Sequence, residues 1–196
     1  ARYNGYFNGN ESLKRGVKRI HSNHKDDYTS ILPVYKEIDL KNSNTQSYMD
    51  KAIKKGSVVI QRHSMKIRGK EYCRWIDDNY LMVGRAYFYK GDFEEAIKTF
   101  SFIINEYKKN EIRFESSLWL VRSFVEKRDF TSAKSLITEL SKDRKFPEKL
   151  ERQLKLISAD LYLRDNDFIA AENELIRAID LIGSNKKNLR LNYILA

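Results

Sequence analysis

Trp75-Ile-Asp-Asp-Asn-Tyr-Leu-Met-Val-Gly-Arg-Ala-Tyr-Phe-Tyr-Lys-Gly-Asp-Phe-Glu-Glu-Ala-Ile-Lys-Thr-Phe100 reads as two amphipathic helices joined by a tight turn. Tyr80, Val83, Gly84 and Tyr87 fall on one helical face. Gly91-Asp92 breaks the run, and Phe93, Ala96, Phe100 and Ile103 mark the facing stripe of a second helix. Small residues (Gly84, Ala96) stand opposite large ones (Tyr87, Phe93, Phe100), so two antiparallel helices can lie close.

The same pattern recurs downstream. Phe93, Phe130 and Phe168 lie 37 and 38 residues apart. Three positions after each stands an alanine (Ala96, Ala133, Ala171), and six before each an aromatic (Tyr87, Phe124, Tyr162). Four beyond each alanine is a large apolar residue: Phe100, Ile137 or Leu175. Four matching columns in three units predict an all-α, TPR-like antiparallel helix-pair solenoid, since the tetratricopeptide repeat is a helix–turn–helix of about 34 residues. The units span about 77–110, 114–147 and 152–185, within a repeat region 71–196. Asn188 to Ala196 starts a further helix. One repeat cannot bury its own face, and stacking does that. The chain begins at Ala1 rather than Met and ends inside an apolar run, so both ends read as cut from a longer protein.

Residues 1–70 read as a basic helical module with an irregular segment near 28–45. Residues 1–22 look like a helix pair with a turn at Asn8-Gly9-Asn10, Asn10 serving as N-cap and Leu13, Val17 and Ile20 forming a stripe. His21, His24, Asp26 and Asp27 have no further ligand at a recognisable spacing, so a helix end is the simpler reading than a metal site. Ile31-Leu-Pro-Val-Tyr35 predicts an extended segment laid on the helices, and Lys41 to Thr45 a loop. Gln46 to Met65 predicts a helix burying Met49, Ala52, Ile53, Val59 and Ile60, with Gly56 at a close helix approach. Arg68-Gly69-Lys70 is read as the turn into the repeats.

The 196 residues carry a formal charge of +10, with 41% hydrophobic and 33% charged residues. Residues 1–70 hold 15 Lys and Arg against 6 Asp and Glu; the remainder holds 22 against 21. The basic character therefore belongs to the first third, where Lys14, Arg15, Lys18, Arg19, Lys51, Lys54 and Lys55 line outer helix faces. These residues are either a solvated face or a docking surface for acidic proteins or anionic lipid. The single Cys73 excludes an intrachain disulfide. No run of about 18 apolar residues is present.

Catalytic signatures are missing: no G-x-S-x-G, phosphate loop, H-E-x-x-H or G-x-G-x-x-G occurs. Asp77 and Asp78 are adjacent on a helix and point about 100° apart, which is no acid/base dyad. The aromatic columns, from Tyr80 to Phe168, read as core. Trp119, Met82 and Ile157 occupy equivalent groove-side positions, as do Arg85, Arg122 and Asp160. That groove either takes an extended peptide or helix or is filled by the chain itself. Leu81, Leu118 and Leu156 stand where carboxylate-gripping TPR proteins place polar groups, which argues against a C-terminal-tail clamp. No cofactor, metal, nucleic acid or small-molecule substrate is expected.

Three blocks narrow the reading. Ala1-Arg-Tyr-Asn-Gly-Tyr-Phe-Asn-Gly-Asn-Glu-Ser-Leu-Lys-Arg-Gly16, Asp26-Asp-Tyr-Thr-Ser-Ile-Leu-Pro-Val-Tyr35 and the stretch Trp75 to Tyr89 resemble the TPR lipoproteins called PorW or SprE. These belong to the type IX secretion and gliding-motility machinery of Bacteroidota. The resemblance implies a non-enzymatic periplasmic adaptor, lipid-anchored to the outer membrane by an upstream cysteine. It implies a link between the periplasmic ring and the outer-membrane translocon. A free-standing TPR peptide adaptor is the alternative. Residues 111–196 match only as generic TPR.

Overall fold

Residues 2–38, 43–68, 70–181 and 189–196 are described by the computed structural model. In order they form α1 (Arg2–Asn23), α2 (Ser43–His63), β1 (Lys66–Ile67), β2 (Lys70–Glu71), α3 (Ile76–Lys90) and α4 (Phe93–Glu106). Then follow α5 (Ile112–Glu126), α6 (Phe130–Lys142), α7 (Glu148–Arg164), α8 (Phe168–Asp180) and α9 (Leu189–Leu195). The protein is all-α and built of successive helix pairs, as its columns require. Of the expected loop, Lys41 and Asn42 lie outside the described residues, and Ser43 to Thr45 form the first turn of α2. Gly69 and Asn188 also lie outside them.

The repeat is written most sharply in its turns. Gly91, Arg128 and Asn166, again 37 and 38 residues apart, take left-handed φ angles of 90°, 60° and 61°. The next residue, an aspartate each time, donates its N–H back across the helix end: Asp92 to Tyr87 O, Asp129 to Phe124 O and Asp167 to Tyr162 O, at 2.9–3.0 Å. This closes each first helix with the six-to-one bond of a Schellman end. Asp129 and Asp167 then cap the second helix, accepting from Ser132 N and Ala170 N at 3.1 Å. Asp92 makes no side-chain cap and pairs instead with Lys90, 3.0 Å away. Four residues beyond each aspartate the alanine of the column, Ala96, Ala133 or Ala171, is fully buried.

The chain divides into two compact units. One comprises Ala1–His24 with Ile38–Ser123, the other Lys25–Glu37 with Phe124–Ala196.

In the first unit, Leu13, Ile20, Met49, Ala52, Met82 and Ala86 join α1, α2 and α3 in one core. α1 is a single unbroken helix where a pair with a turn at Asn8-Gly9-Asn10 was expected. The glycines explain the difference. A Cβ at Gly9 would sit 2.7 Å from the end of Met82, and one at Gly16 2.6 Å from the end of Met49. They are contact points that seat α1 on its neighbours, not breaks. Gly56 behaves as expected, with Val83 Cγ2 2.5 Å from its notional Cβ. Gly84 likewise faces the Phe100 ring. β1 and β2 pair antiparallel, Lys66 with Glu71 and Ile67 with Lys70, an extended element additional to the one expected. Glu71 fixes the hairpin by accepting from Met65 N (2.9 Å), Cys73 N (2.7 Å) and Ser64 Oγ (2.5 Å).

In the second unit, Val34, Ala159, Leu175 and Leu191 form the core, with Tyr35, Leu156 and Leu163 packed on it. Residues 25–37 are non-helical and lie on α7, as expected of Ile31–Tyr35. The aromatic columns are less buried than their spacing implies. Phe100 is fully enclosed, but Tyr80, Tyr87, Phe93, Phe124, Phe130 and Tyr162 are half-buried, and Phe168 is 49% exposed.

Candidate functional site

Lys14, Arg15, Lys18, Arg19, Lys51, Lys54 and Lys55 are all exposed on α1 and α2. The two helices run antiparallel, with Ser12 Oγ donating to Tyr48 O at 2.9 Å and Gly9 facing Lys55. That register places Arg15 and Lys51 on one shallow recess of about 200 Å³, with Phe7, Asn8, Glu11, Ser12 and Tyr48. Phe7 is 50% exposed at its edge. Lys14 pairs with Glu11 at 3.1 Å. Among the described residues, no carboxylate pairs with the other six cations. Elsewhere, cations such as Lys66, Lys90, Lys98, Lys134, Lys155, Arg164 and Arg177 each have an acidic partner.

Trp119 does not line an open groove. It is 5% exposed and packed edge-on against Phe88 and Tyr89, with ring centroids 5.3 and 5.7 Å away. The guanidinium carbons of Arg85 and Arg122 stand 5.1 and 4.5 Å from its ring centroid. Cations over an indole face are attracted by its quadrupole, so these arginines serve as lids on a buried tryptophan. Met82, the equivalent position one unit earlier, is 3% exposed and covered by α1 and α2. Of the two readings of the groove, filling by the chain itself accounts for these positions.

The other candidates resolve into structure. Asp77 accepts from Asp78 N at 3.0 Å and from Asn110 Nδ2 at 2.9 Å. Burial, then Asp77 and Glu115, push the Asp78 carboxyl above the usual aspartate range. Nearby, burial and the charges of Asp77, Glu71 and Glu106 hold the Tyr107 phenol well above its ordinary pKa. Glu71, Glu106 and Glu111 line an open recess of about 840 Å³ together with Lys108 and Lys109, so its charge is mixed. Cys73 is 6% exposed. Asp26 pairs with Arg190. Among the described residues no three His, Cys, Asp or Glu side chains converge as metal ligands. No described helix is long and apolar enough to cross a membrane.

No protein-family model matches the chain, and no curated protein matches it in sequence.

Two features escaped the sequence reading. One is the recess of mixed charge that joins Glu71 to residues 106–111. The other is the role of Asp160, 5% exposed, whose Oδ1 accepts the Val34 N–H at 3.1 Å. Its signal was present as a sign change, since the column reads Arg85, Arg122, Asp160.

Proposed function

We propose that the chain is a non-enzymatic interaction scaffold that docks through the basic face of α1 and α2. The observation that carries this reading is the set of six exposed cations, Arg15, Lys18, Arg19, Lys51, Lys54 and Lys55, none with an acidic partner among the described residues. Desolvating such charges is favourable only against negative charge supplied from outside. The resemblance of residues 1–16, 26–35 and 75–89 to the PorW or SprE lipoproteins supports the type IX secretion machinery as the assembly served. In that setting the chain is the periplasmic link between ring and outer-membrane translocon. Each Lys or Arg close to an anionic bilayer adds about 1 kcal/mol, so the same face also orients the molecule on a membrane.

The test is a full-length variant carrying Arg15→Glu, Lys18→Glu, Lys51→Glu and Lys54→Glu, expressed in place of the native protein. Loss of partner co-purification and of secreted cargo, with helicity unchanged, is expected. Normal co-purification would move docking off this face. Normal secretion and gliding after deletion of the gene would reject the assignment to that machinery.

A further inference from the structure

Residues 25–37 lie along the second unit as a non-helical strap whose Val34 enters its buried cluster. Leu32 and Val34 are buried (4% and 7% exposed), while Tyr28 and Ile31 stand 64% and 63% exposed. The segment is held by its main chain. Asp160 Oδ1 accepts the Val34 N–H, and Arg190 Nη2 donates to Pro33 O at 2.9 Å. Arg190 also pairs with Asp26, six residues before Leu32. Main-chain recognition with pockets for alternate side chains is how domains hold extended ligands.

We propose that the α7 face formed by Leu156, Ala159, Asp160 and Leu163 is a peptide-binding groove holding this strap as its resident ligand, which an extended partner segment of the same chemistry replaces. The Asp160 acceptor is held in place by its neighbours. Asp160 Oδ2 accepts from Arg164 Nε at 3.1 Å, and Arg164 is forked on Glu126 at 3.0 and 3.3 Å, all from helical residues. Burial opposes the Arg164 charge, but Asp160 and Glu126 hold its pKa above the ordinary arginine value. The strap's Glu37 adds a smaller favourable charge to Arg164, and Asp160 Oδ1 is left to accept the strap's Val34 N–H.

The groove is also wider than its occupant. A recess of about 280 Å³ runs beside the strap, lined by Leu32, Pro33, Phe130, Leu163 and Phe168 and also by the charged Glu37, Arg128 and Arg164. Phe168 and Ile169 stand 49% and 76% exposed. A tethered strap presents itself at millimolar effective concentration, so a competing segment must bind better. The recess supplies the means, a side chain larger than Leu32 or Ile31. The fitting partner is an extended segment with an acidic residue followed, six positions on, by aliphatic-Pro-aliphatic. This property belongs to the second unit whatever assembly the chain serves.

The experiment uses a fluorescent peptide of residues 25–37 and the full chain. In a variant with Leu32→Ser and Val34→Ser the strap is weakened and the peptide is expected to bind. Binding to the native chain should be about tenfold weaker or worse, because its own strap competes. Adding Asp160→Ala to the variant should abolish binding. The proposal is overturned if the helical variant fails to bind, if both chains bind equally, or if Asp160→Ala changes nothing. Loss of helicity in the strap variant also overturns it, since a ligand is not required for the fold. None of these readouts involves a secretion partner, so failure here leaves the scaffold reading untouched.

Discussion

Arg128 stands at the φ of 60° that the equivalent Gly91 exceeds without strain. A left-handed non-glycine residue costs roughly 1–2 kcal/mol, and glycine returns about 0.5–1 kcal/mol as lost chain entropy. Arg128→Gly is therefore expected to raise stability in urea unfolding by about 0.5–1 kcal/mol, and a loss would show that the arginine side chain holds the turn. Asp78 gives a prediction in pH. Its folded pKa is raised, so the fold favours the protonated acid. That contribution is complete below the unfolded value, about 3.9, and disappears as pH rises through the folded one. Asp78→Asn should raise Tm near neutral pH, with the gain shrinking toward about pH 3; a gain independent of pH would mean that charge is not the cause. At this scale the sequence was legible where side-chain type and spacing decide, as at Ala96, Ala133 and Ala171, all fully buried. It was not legible at Asp160, because its donor, Val34, lies 126 residues away.

Helix α1 shows why elements are harder to read than columns. Glycine marks a turn when its φ is positive and a contact when a neighbour fills the place of its Cβ, and the letter is the same for both. Gly91 is the first kind; Gly5, Gly9 and Gly16 are the second. The neighbours differ in stiffness. Gly5 faces the branched Val59, whereas Gly9 faces the flexible end of Met82. Alanine in a helix interior gains about 0.5–1 kcal/mol over glycine. Overpacking costs about 1–3 kcal/mol. Gly5→Ala is thus expected to lower stability and Gly9→Ala to leave it nearly unchanged in thermal melts; equal effects would place α1 in a different register on α2. In the α3–α4 pair, Ala96→Leu overpacks a site with no exposed surface and should cost roughly 1–3 kcal/mol. An unchanged Tm would contradict the pairing.

At the scale of the molecule, the arithmetic of charge located the basic face, because net charge needs no fold to be counted. The partition into units was not countable in that way. Residues 25–37 sit in sequence between two parts of the first unit yet belong to the second. That placement has a consequence for synthesis. The strap leaves the ribosome long before its seat exists: Val34 precedes Asp160 by 126 residues, and Pro33 precedes Arg190 by 157. At roughly 5–20 residues per second this delay is about 6–30 s. During it Leu32 and Val34 are in water or in the hands of a chaperone, while α1 to α4 can already close on their own core. Nascent chains stalled before residue 159 should therefore be cut by protease between residues 25 and 37 and protected across α3 and α4. Full-length chains should resist at both. The newborn protein would pass through a stage in which its own first third offers an unfilled segment to any neighbour carrying the matching groove, including an older copy of itself.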